Sequence, residues 1–488
     1  MASNALRFLY WFTFIVLICA LLVLWWLWHR PPSDVVADFQ NRTSTVYIQK
    51  NFLGSGGVGT TLSDSSGMRI ITDANLRGNR VWASLNLIYA SGDTPDYGLF
   101  DQQMNRATAN GLDPIVVIYG TPPSLGASAC SMPSSVAKWA QLATGVVAHI
   151  DQAHAGLRYE IWNEPDAGAF CSSNQLQDYL TLYGTAVPKM RDAAPTARFG
   201  GPALASPGPN AQTWIPALLS GATAPYVDFL SFHLYITGTW LLPGMTWDQL
   251  YQQTINPTAG LSYYYVQFEK YVRAGSQPNP ATTPIYIDEY NTNYSYSSNC
   301  CQNDVIFGPL WNTTAMVIWM NAVSDGASTI PGGLVYFMSS DANNFFCLIG
   351  APSDNYADCR YPTQGQNNYA AYPSLLAYQL FAQAGYLNIE DGGNVAARPK
   401  VPQGLLATAF YTAHADDLVI VNPTSTAYSE LRVKLQHPGM HSITPKLFLL
   451  SNNNLVSSPL RIAPALDGVT AKVDLPAYST LAIQLTQQ

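Results

Sequence analysis

The sequence predicts an α/β chain built as a (β/α)8 barrel with a C-terminal antiparallel β-sandwich and one transmembrane helix at the N-terminus. Three observations carry this. Short β-branched or aromatic runs alternate with helical patterns through residues 51–388. Over residues 389–488 the texture changes to short alternating segments separated by polar turns. The stretch from Phe8 to Trp28 contains no charged residue.

The N-terminus comes first. At about 1.5 Å per residue, a helix over residues 8–28 just spans a hydrocarbon core of roughly 30 Å. Trp25, Trp26 and Trp28 sit at its far end, as an interfacial belt does. A cleaved signal peptide usually has a shorter apolar region of about 7–15 residues. Val35-Val36-Ala37 is similar to a small-residue cleavage site but lies well downstream. Residues 1–33 are therefore read as an uncleaved membrane anchor, with the rest of the chain extracytoplasmic, either periplasmic or extracellular. Cleavage would instead make the protein secreted. Arg7 on one side and His29 and Arg30 on the other leave the orientation open.

Cysteine usage fits that compartment. Of seven cysteines, Cys19 lies in the apolar segment, which leaves an even number beyond it. Cys130 and Cys171 follow two successive strand-like runs, so their loops are expected to be neighbours. Cys347 and Cys359 flank one short polar stretch, and Cys300-Cys301 is ambiguous. None has CxxC metal spacing, and no metal site or cofactor is expected. Asn41, Asn293 and Asn312 begin glycosylation sequons. Residues 34–50 read as a linker in which Thr45-Val-Tyr-Ile-Gln49 is a possible sandwich strand.

The barrel strands are read at residues 80–88, 114–119, 157–162, 198–202, 227–235, 284–289 and 333–337, with a glycine-rich first strand within 52–61. Helical patterns lie between them, for example at 136–150, 175–192, 211–219, 263–274 and 314–324. About eight β-then-α units imply parallel strands with crossover helices, and eight close best as a barrel. A doubly wound open sheet is disfavoured because no GxGxxG opens a helix after the first strand.

Charged residues make up 11% of the chain, against roughly 25% in ordinary soluble proteins. Tyr, Asn, Ser, Thr and Gln replace them, a surface suited to neutral polyhydroxylated partners. Net charge is −8 and no basic run lies beyond the N-terminus, which argues against nucleic-acid binding. Oligomeric state is not legible.

The chemistry concentrates at two strand ends. Arg158-Tyr-Glu-Ile-Trp-Asn-Glu-Pro-Asp166 places Glu164 directly before Pro165. Proline donates no N–H, so the strand ladder stops there, and Glu164 is expected in extended backbone. It stands at the carboxyl end of the fourth strand, the end that carries barrel active sites. Pro284-Ile-Tyr-Ile-Asp-Glu-Tyr-Asn291 is a second apolar strand ending in acid, at the seventh position. Strict alternation puts Ile285, Ile287 and Glu289 on one face and Asp288 on the other, toward the helices. Glu164 and Glu289 can then converge above the axis as glycoside hydrolysis requires, one protonated and one ionised. Glu164, desolvated and facing the Glu289 charge, is expected to start protonated.

Trp162-Asn163-Glu164-Pro165 followed by Ile287-Asp288-Glu289-Tyr290 resembles glycoside hydrolase clan A. The sandwich, closing on 475–485, and Tyr119-Gly-Thr-Pro-Pro123 make the chain most similar to family 39, with relatives in families 51, 30 and 79. The resemblance implies Glu164 as general acid/base, Glu289 as nucleophile and Asn163 as a ligand of the sugar 2-hydroxyl. Strict alternation would turn Asn163 away, so the chain must leave the sheet there. It also implies His233 and Tyr235 at the end of the sixth strand, the tyrosine hydrogen-bonded to the nucleophile. His233 could equally be a satisfied core histidine. Arg80 on the second strand either holds Glu289 ionised or makes a plain strand salt bridge. Tyr336-Phe337 stand where clan members commonly end strand eight in tryptophan. Trp240, Trp247, Tyr294 and Tyr296 lie in loops where aromatics either stack on sugars or pack.

These features imply a retaining glycosidase acting on a polysaccharide or oligosaccharide. Xylosides, uronides and a bacterial exopolysaccharide are substrate classes implied by resemblance only. A transglycosylase would use the same two acids, and a non-catalytic carbohydrate-binding barrel would need neither.

Overall fold

A computed structural model describes residues 33–39, 47–48, 53–56, 65–74, 76–236, 246–275, 282–292, 308–328, 332–337, 349–350, 370–371, 373–382, 393–412, 415–436 and 443–487, together with Phe14 and Ile18. The expected anchor over 8–28 otherwise lies outside them. Among the described residues no helix is long and apolar enough to cross a membrane. Cys300, Cys301, Cys347, Cys359, Trp240, Tyr294, Tyr296, Asn41 and Asn293 also lie outside, as do the side chains of Tyr336 and Phe337.

Eight parallel strands run in chain order around one sheet: Leu53–Gly56, Gly78–Ser84, Asp113–Tyr119, Arg158–Ile161, Arg198–Leu204, Phe229–Tyr235, Ile285–Asn291 and Gly333–Phe337. Each pairs with the next, and strand eight pairs back onto strand one through Leu334 and Leu53, which closes the sheet. Helices cover its outside. In Val136–Ala153, buried Trp139, Ala143, Val146, Val147 and Ile150 recur at helical spacing and dock one face on the sheet. Ser135 caps this helix by accepting the Lys138 N–H at 3.2 Å. Gln175–Ala193 repeats the pattern through Tyr179, Leu182, Tyr183, Ala186 and Met190. Asn312 is fully buried inside Gly308–Met320, so its sequon cannot carry a glycan in the folded chain.

Inside the sheet the side chains form layers. Ile115, Phe229 and Tyr286 close the lower end, with Arg158 stacked over the Tyr286 ring at 5.6 Å and paired to Asp113. Above them lie Arg80, Glu160, Ser231 and Asp288. Arg158 and Glu160 are two apart on one strand and share its inner face, as the pleat requires.

The C-terminal part packs two antiparallel sheets over a separate apolar core. Seven strands form one sheet and four the other. The N-terminal segment joins both. Tyr47–Ile48 pairs antiparallel with Gly393–Val395, within the run expected to join the sandwich. Val35–Asp38 pairs parallel with Tyr428–Gln436, which the sequence reading did not anticipate. Val35 and Ala37 are fully buried there, so the stretch similar to a cleavage site is a sandwich strand.

Candidate active site

At the carboxyl end of strand four the backbone leaves the sheet. The strand ends at Ile161 and Trp162 takes a left-handed φ of 71°. Trp162 is fully buried among Tyr119, Trp139 and Phe170, with its indole N–H donated to Ala169 O at 3.0 Å. This wedge turns Asn163 inward, where its Oδ1 accepts from Arg80 Nη2 at 2.9 Å. Glu164 is left-handed too, with φ of 43°, and not extended as the proline alone would favour. Its N–H is donated to Ala203 O on strand five at 3.0 Å, and its carbonyl accepts from Ala167 at 3.0 Å. Those two bonds fix a turn that overrides the local preference. Two non-glycine residues at positive φ represent strain of roughly 1–3 kcal/mol each, of the kind stored at functional sites.

Strand seven departs from alternation in a second way. Ile285, Ile287 and Tyr290 face the helices, and Tyr286 faces the barrel interior. Phe232 pairs with Ile287 but His233 with Glu289, and strand eight likewise skips Asp288. This irregularity lets Asp288 and Glu289 point inward together. Asp288 is thus not directed toward the helices; its Oδ2 lies 3.3 Å from Arg80 Nε.

All six expected site residues come together at this end. Arg80 is fully buried and its Nη1 contacts Glu289 Oε1 at 2.5 Å. Tyr235 donates its hydroxyl to Glu289 Oε2 at 2.7 Å. His233 Nδ1 lies 2.7 Å from Glu164 Oε1 and 3.3 Å from Glu289 Oε2. One carboxylate oxygen each of Glu164 and Glu289 lies within 4.8 Å of the other. The Glu164 side chain is 28% exposed and that of Glu289 7%, so Glu164 is the acid more open to solvent. Glu164, His233 and Glu289 also have metal-ligand spacing, but Arg80 and Tyr235 already hold both oxygens of Glu289.

Sequence reasoning missed three contributors. Glu160 takes Arg80 Nε at 2.9 Å and Nη2 at 2.5 Å, and Ser231 donates to its other oxygen. Trp82 lies under the Arg80 guanidinium at 5.1 Å, edge-on to half-buried Tyr119. The available signal was period two: positions 80 and 82, 158 and 160, and 231, 233 and 235 each share a face. Trp247, by contrast, is a packing residue, buried with its indole N–H donated to Pro423 O. Cys130 and Cys171 form a disulfide between the loops after strands three and four.

The electrostatics of the acid pair differ from expectation. Burial pushes the Glu164 carboxyl up, but the His233 hydrogen bond and charge, helped by Arg80, hold it below its ordinary value. Burial pushes His233 down, but Glu289 and Glu164 raise it above an ordinary histidine. Both directions favour an ionised Glu164 beside a protonated His233 at neutral pH, with 2.7 Å between them. The expectation that Glu164 starts protonated overlooked this neighbour. Burial, together with the Glu164 charge, keeps the Tyr119 hydroxyl protonated.

Residues 63–316, just over half of the chain, match the family described as Glycosyl hydrolases family 39. A beta-xylosidase of Geobacillus stearothermophilus is 28% identical over 172 residues, 33% of this chain and 32% of that protein. A beta-xylosidase of Caldicellulosiruptor saccharolyticus is 30% identical over 22% of each. The matches thus span a third or less of these relatives. The crystal structure of a monomeric beta-xylosidase from Caulobacter crescentus superposes with a TM-score of 0.66 at 16% identity, covering 93% of this chain and 99% of that one. A family 30 xylanase from Clostridium acetobutylicum gives 0.61 at 15%, over 93% of this chain and 100% of that one. At such identities the likeness is one of fold.

Proposed function

This chain belongs to glycosyl hydrolase family 39, and from that premise we propose that it is a retaining glycoside hydrolase working by double displacement. The observation that carries the reading is the gap of at most 4.8 Å between carboxylate oxygens of Glu164 and Glu289. Retaining enzymes place their carboxyl groups about 5–5.5 Å apart, whereas inverting ones leave about 6.5–9.5 Å for a water.

Glu289 is the nucleophile. Arg80 and Tyr235 donate to its two oxygens and fix the carboxylate beneath the anomeric carbon. Glu164 is the general acid/base, and its proton reaches it from His233 Nδ1 across the shared hydrogen bond. Esterification of Glu289 removes a charge that helps keep His233 protonated, so the pair releases its proton as the leaving group departs. Glu164, then a carboxylate beside neutral His233, takes a proton from the incoming water and restores the pair. Asn163, anchored by Arg80 through Oδ1, has its amide N–H groups left for the sugar 2-hydroxyl. The substrate is a polysaccharide or oligosaccharide, and β-xylosides come first because both curated relatives above are beta-xylosidases. Proton NMR of the first-formed product is expected to show the anomeric configuration of the substrate before mutarotation. An initially inverted product would rule out the double displacement.

We further ascribe residues 8–28 to an uncleaved anchor that leaves the catalytic part extracytoplasmic. The charge-free segment and the Cys130–Cys171 disulfide support this. A cut after Ala37 would also split a buried strand. The full-length protein should stay with membranes through a high-salt wash, and a chain starting at Ser33 should be soluble and active. A chain starting at Gln40 should melt lower, since burying Val35 and Phe39 is worth roughly 1.5–3 kcal/mol each. A mature N-terminus at Asp38 would overturn the anchor.

A further inference from the structure

Two carboxyls below the reaction centre have no part in the mechanism above. Glu160 and Asp288 are both fully buried. Both face Arg80 Nε, with Glu160 Oε2 at 2.9 Å and Asp288 Oδ2 at 3.3 Å. Glu160 is well supplied with donors, Arg80 on one oxygen and Ser231 on the other. Among the described residues, no N–H or O–H group donates a hydrogen bond to either oxygen of Asp288. The group it shares Arg80 Nε with is another carboxyl, Glu160. Two carboxyls hydrogen-bond only if one of them carries a proton.

The charges around the cluster require the same proton. Among the described residues, the groups facing it are Arg80 on strand two, Glu160 on strand four, Glu164 just after it, Ser231, His233 and Tyr235 on strand six, and Asp288 and Glu289 on strand seven. Arg158 and Tyr286 lie in the layer below. Arg80 contacts Glu160, Asp288 and Glu289, and the His233 ring lies 2.7 Å from Glu164, 3.3 Å from Glu289 and 3.9 Å from Asp288. Four ionised carboxylates around two cations would leave negative charge uncompensated, and a buried group in that position neutralises instead.

We propose that Glu160 and Asp288 share one proton beneath Glu289, with Asp288 carrying it and donating to the Glu160 anion, and that this pair is a positioning device for the nucleophile. Its work is to anchor Arg80 from below while leaving the Nη1 side of the guanidinium for Glu289. Burial, reinforced by the Glu160 charge, pushes the Asp288 carboxyl well up. Burial also raises Glu160, but Arg80, with Asp288 and Ser231 beside it, brings it below its ordinary value. The positioning role rests on the reading of Glu289 as nucleophile; the shared proton does not.

Infrared spectra of the substrate-free protein separate the two. At neutral pH the difference spectrum between the wild-type chain and Asp288→Asn should contain a protonated-carboxyl C=O band, which Glu160→Gln shifts but does not remove. Asn mimics the protonated acid, so Asp288→Asn should fold. The kinetic arm uses the pH profile of kcat/KM. Glu160→Gln removes a real negative charge beside Arg80 and should move the acid limb to lower pH. Asp288→Asn should leave that limb in place, whatever it does to the rate. A missing band, a band removed by Glu160→Gln and kept in Asp288→Asn, or failure of only Asp288→Asn to fold would overturn the shared proton. The band with no movement of the acid limb in Glu160→Gln would overturn the positioning role alone. Loss of retention in the product would overturn the nucleophile assignment instead.

Discussion

Glu289→Ala is expected to abolish turnover on every substrate, activated or not, by a factor on the order of 10⁶ in kcat, the scale seen when an essential nucleophile is removed. No covalent intermediate can form without that carboxylate. A good leaving group does not help, because the missing event is attack on the anomeric carbon rather than departure of the aglycone. The alanine variant also leaves Arg80 Nη1 and Tyr235 without the oxygens they hold. Buried donors left without their acceptors are destabilising, so lost activity alone could be confused with lost fold. Glu289→Gln separates the two. Its amide oxygen still accepts from Arg80 or Tyr235, so it should melt close to the wild-type chain and remain inactive. Residual kcat within about a hundredfold of wild type in both variants would remove Glu289 from the role, since that loss is no larger than a single misplaced contact produces.

How much of this was legible in the sequence depended on one rule, period-two alternation, and on where it breaks. Glu164 and Glu289 were readable because an acid ends each of two apolar runs at the expected barrel positions. The neighbouring loops of Cys130 and Cys171 followed from strand order alone. Asp288 was placed on the wrong face because the irregularity in strand seven shifts parity by one residue, and no glycine or proline marks it. The same break turned Ile285 and Ile287 outward, where they join the helix-facing core. Glu160 and Ser231 obey alternation, yet each lies mid-strand, where a polar residue gives no sign of its cross-barrel partner. Arg80 was read as either a holder of Glu289 or a plain strand salt bridge, and its grip on three further groups is a property of closure, which brings strands two, four and seven to one point. Val35–Asp38 was hidden because its partner strand lies almost four hundred residues downstream, at Val433–Gln436. The direction in which the Glu164 carboxyl is shifted was missed for a similar reason. The sequence supplied His233 as a neighbour in the site but not its 2.7 Å contact with that carboxylate.

Glu164→Ala should behave differently, and the contrast is the sharper test. On substrates with poor leaving groups kcat/KM should fall by about 10²–10⁴, the usual worth of a general acid. On activated aryl glycosides the first displacement needs little proton donation, because the leaving phenolate is already stable. Glu289, still held by Arg80 and Tyr235, should therefore keep forming the glycosyl-enzyme. The second displacement then lacks its base, so that intermediate accumulates. A burst of released phenol followed by a slow steady state is expected, with an apparent KM far below wild type. Azide attacks without base help, and the space left by the Glu164 carboxylate, on the more open side of the pair, admits it. Added azide should raise the steady rate on activated substrates and yield a glycosyl azide of unchanged anomeric configuration. His233 sharpens the expectation further. With Glu164 gone its Nδ1 retains Glu289 Oε2 at 3.3 Å, so the histidine cannot relay a proton to the aglycone oxygen through its usual partner. Equal losses on activated and unactivated substrates, with no response to azide, would mean that Glu164 shapes the pocket without transferring protons.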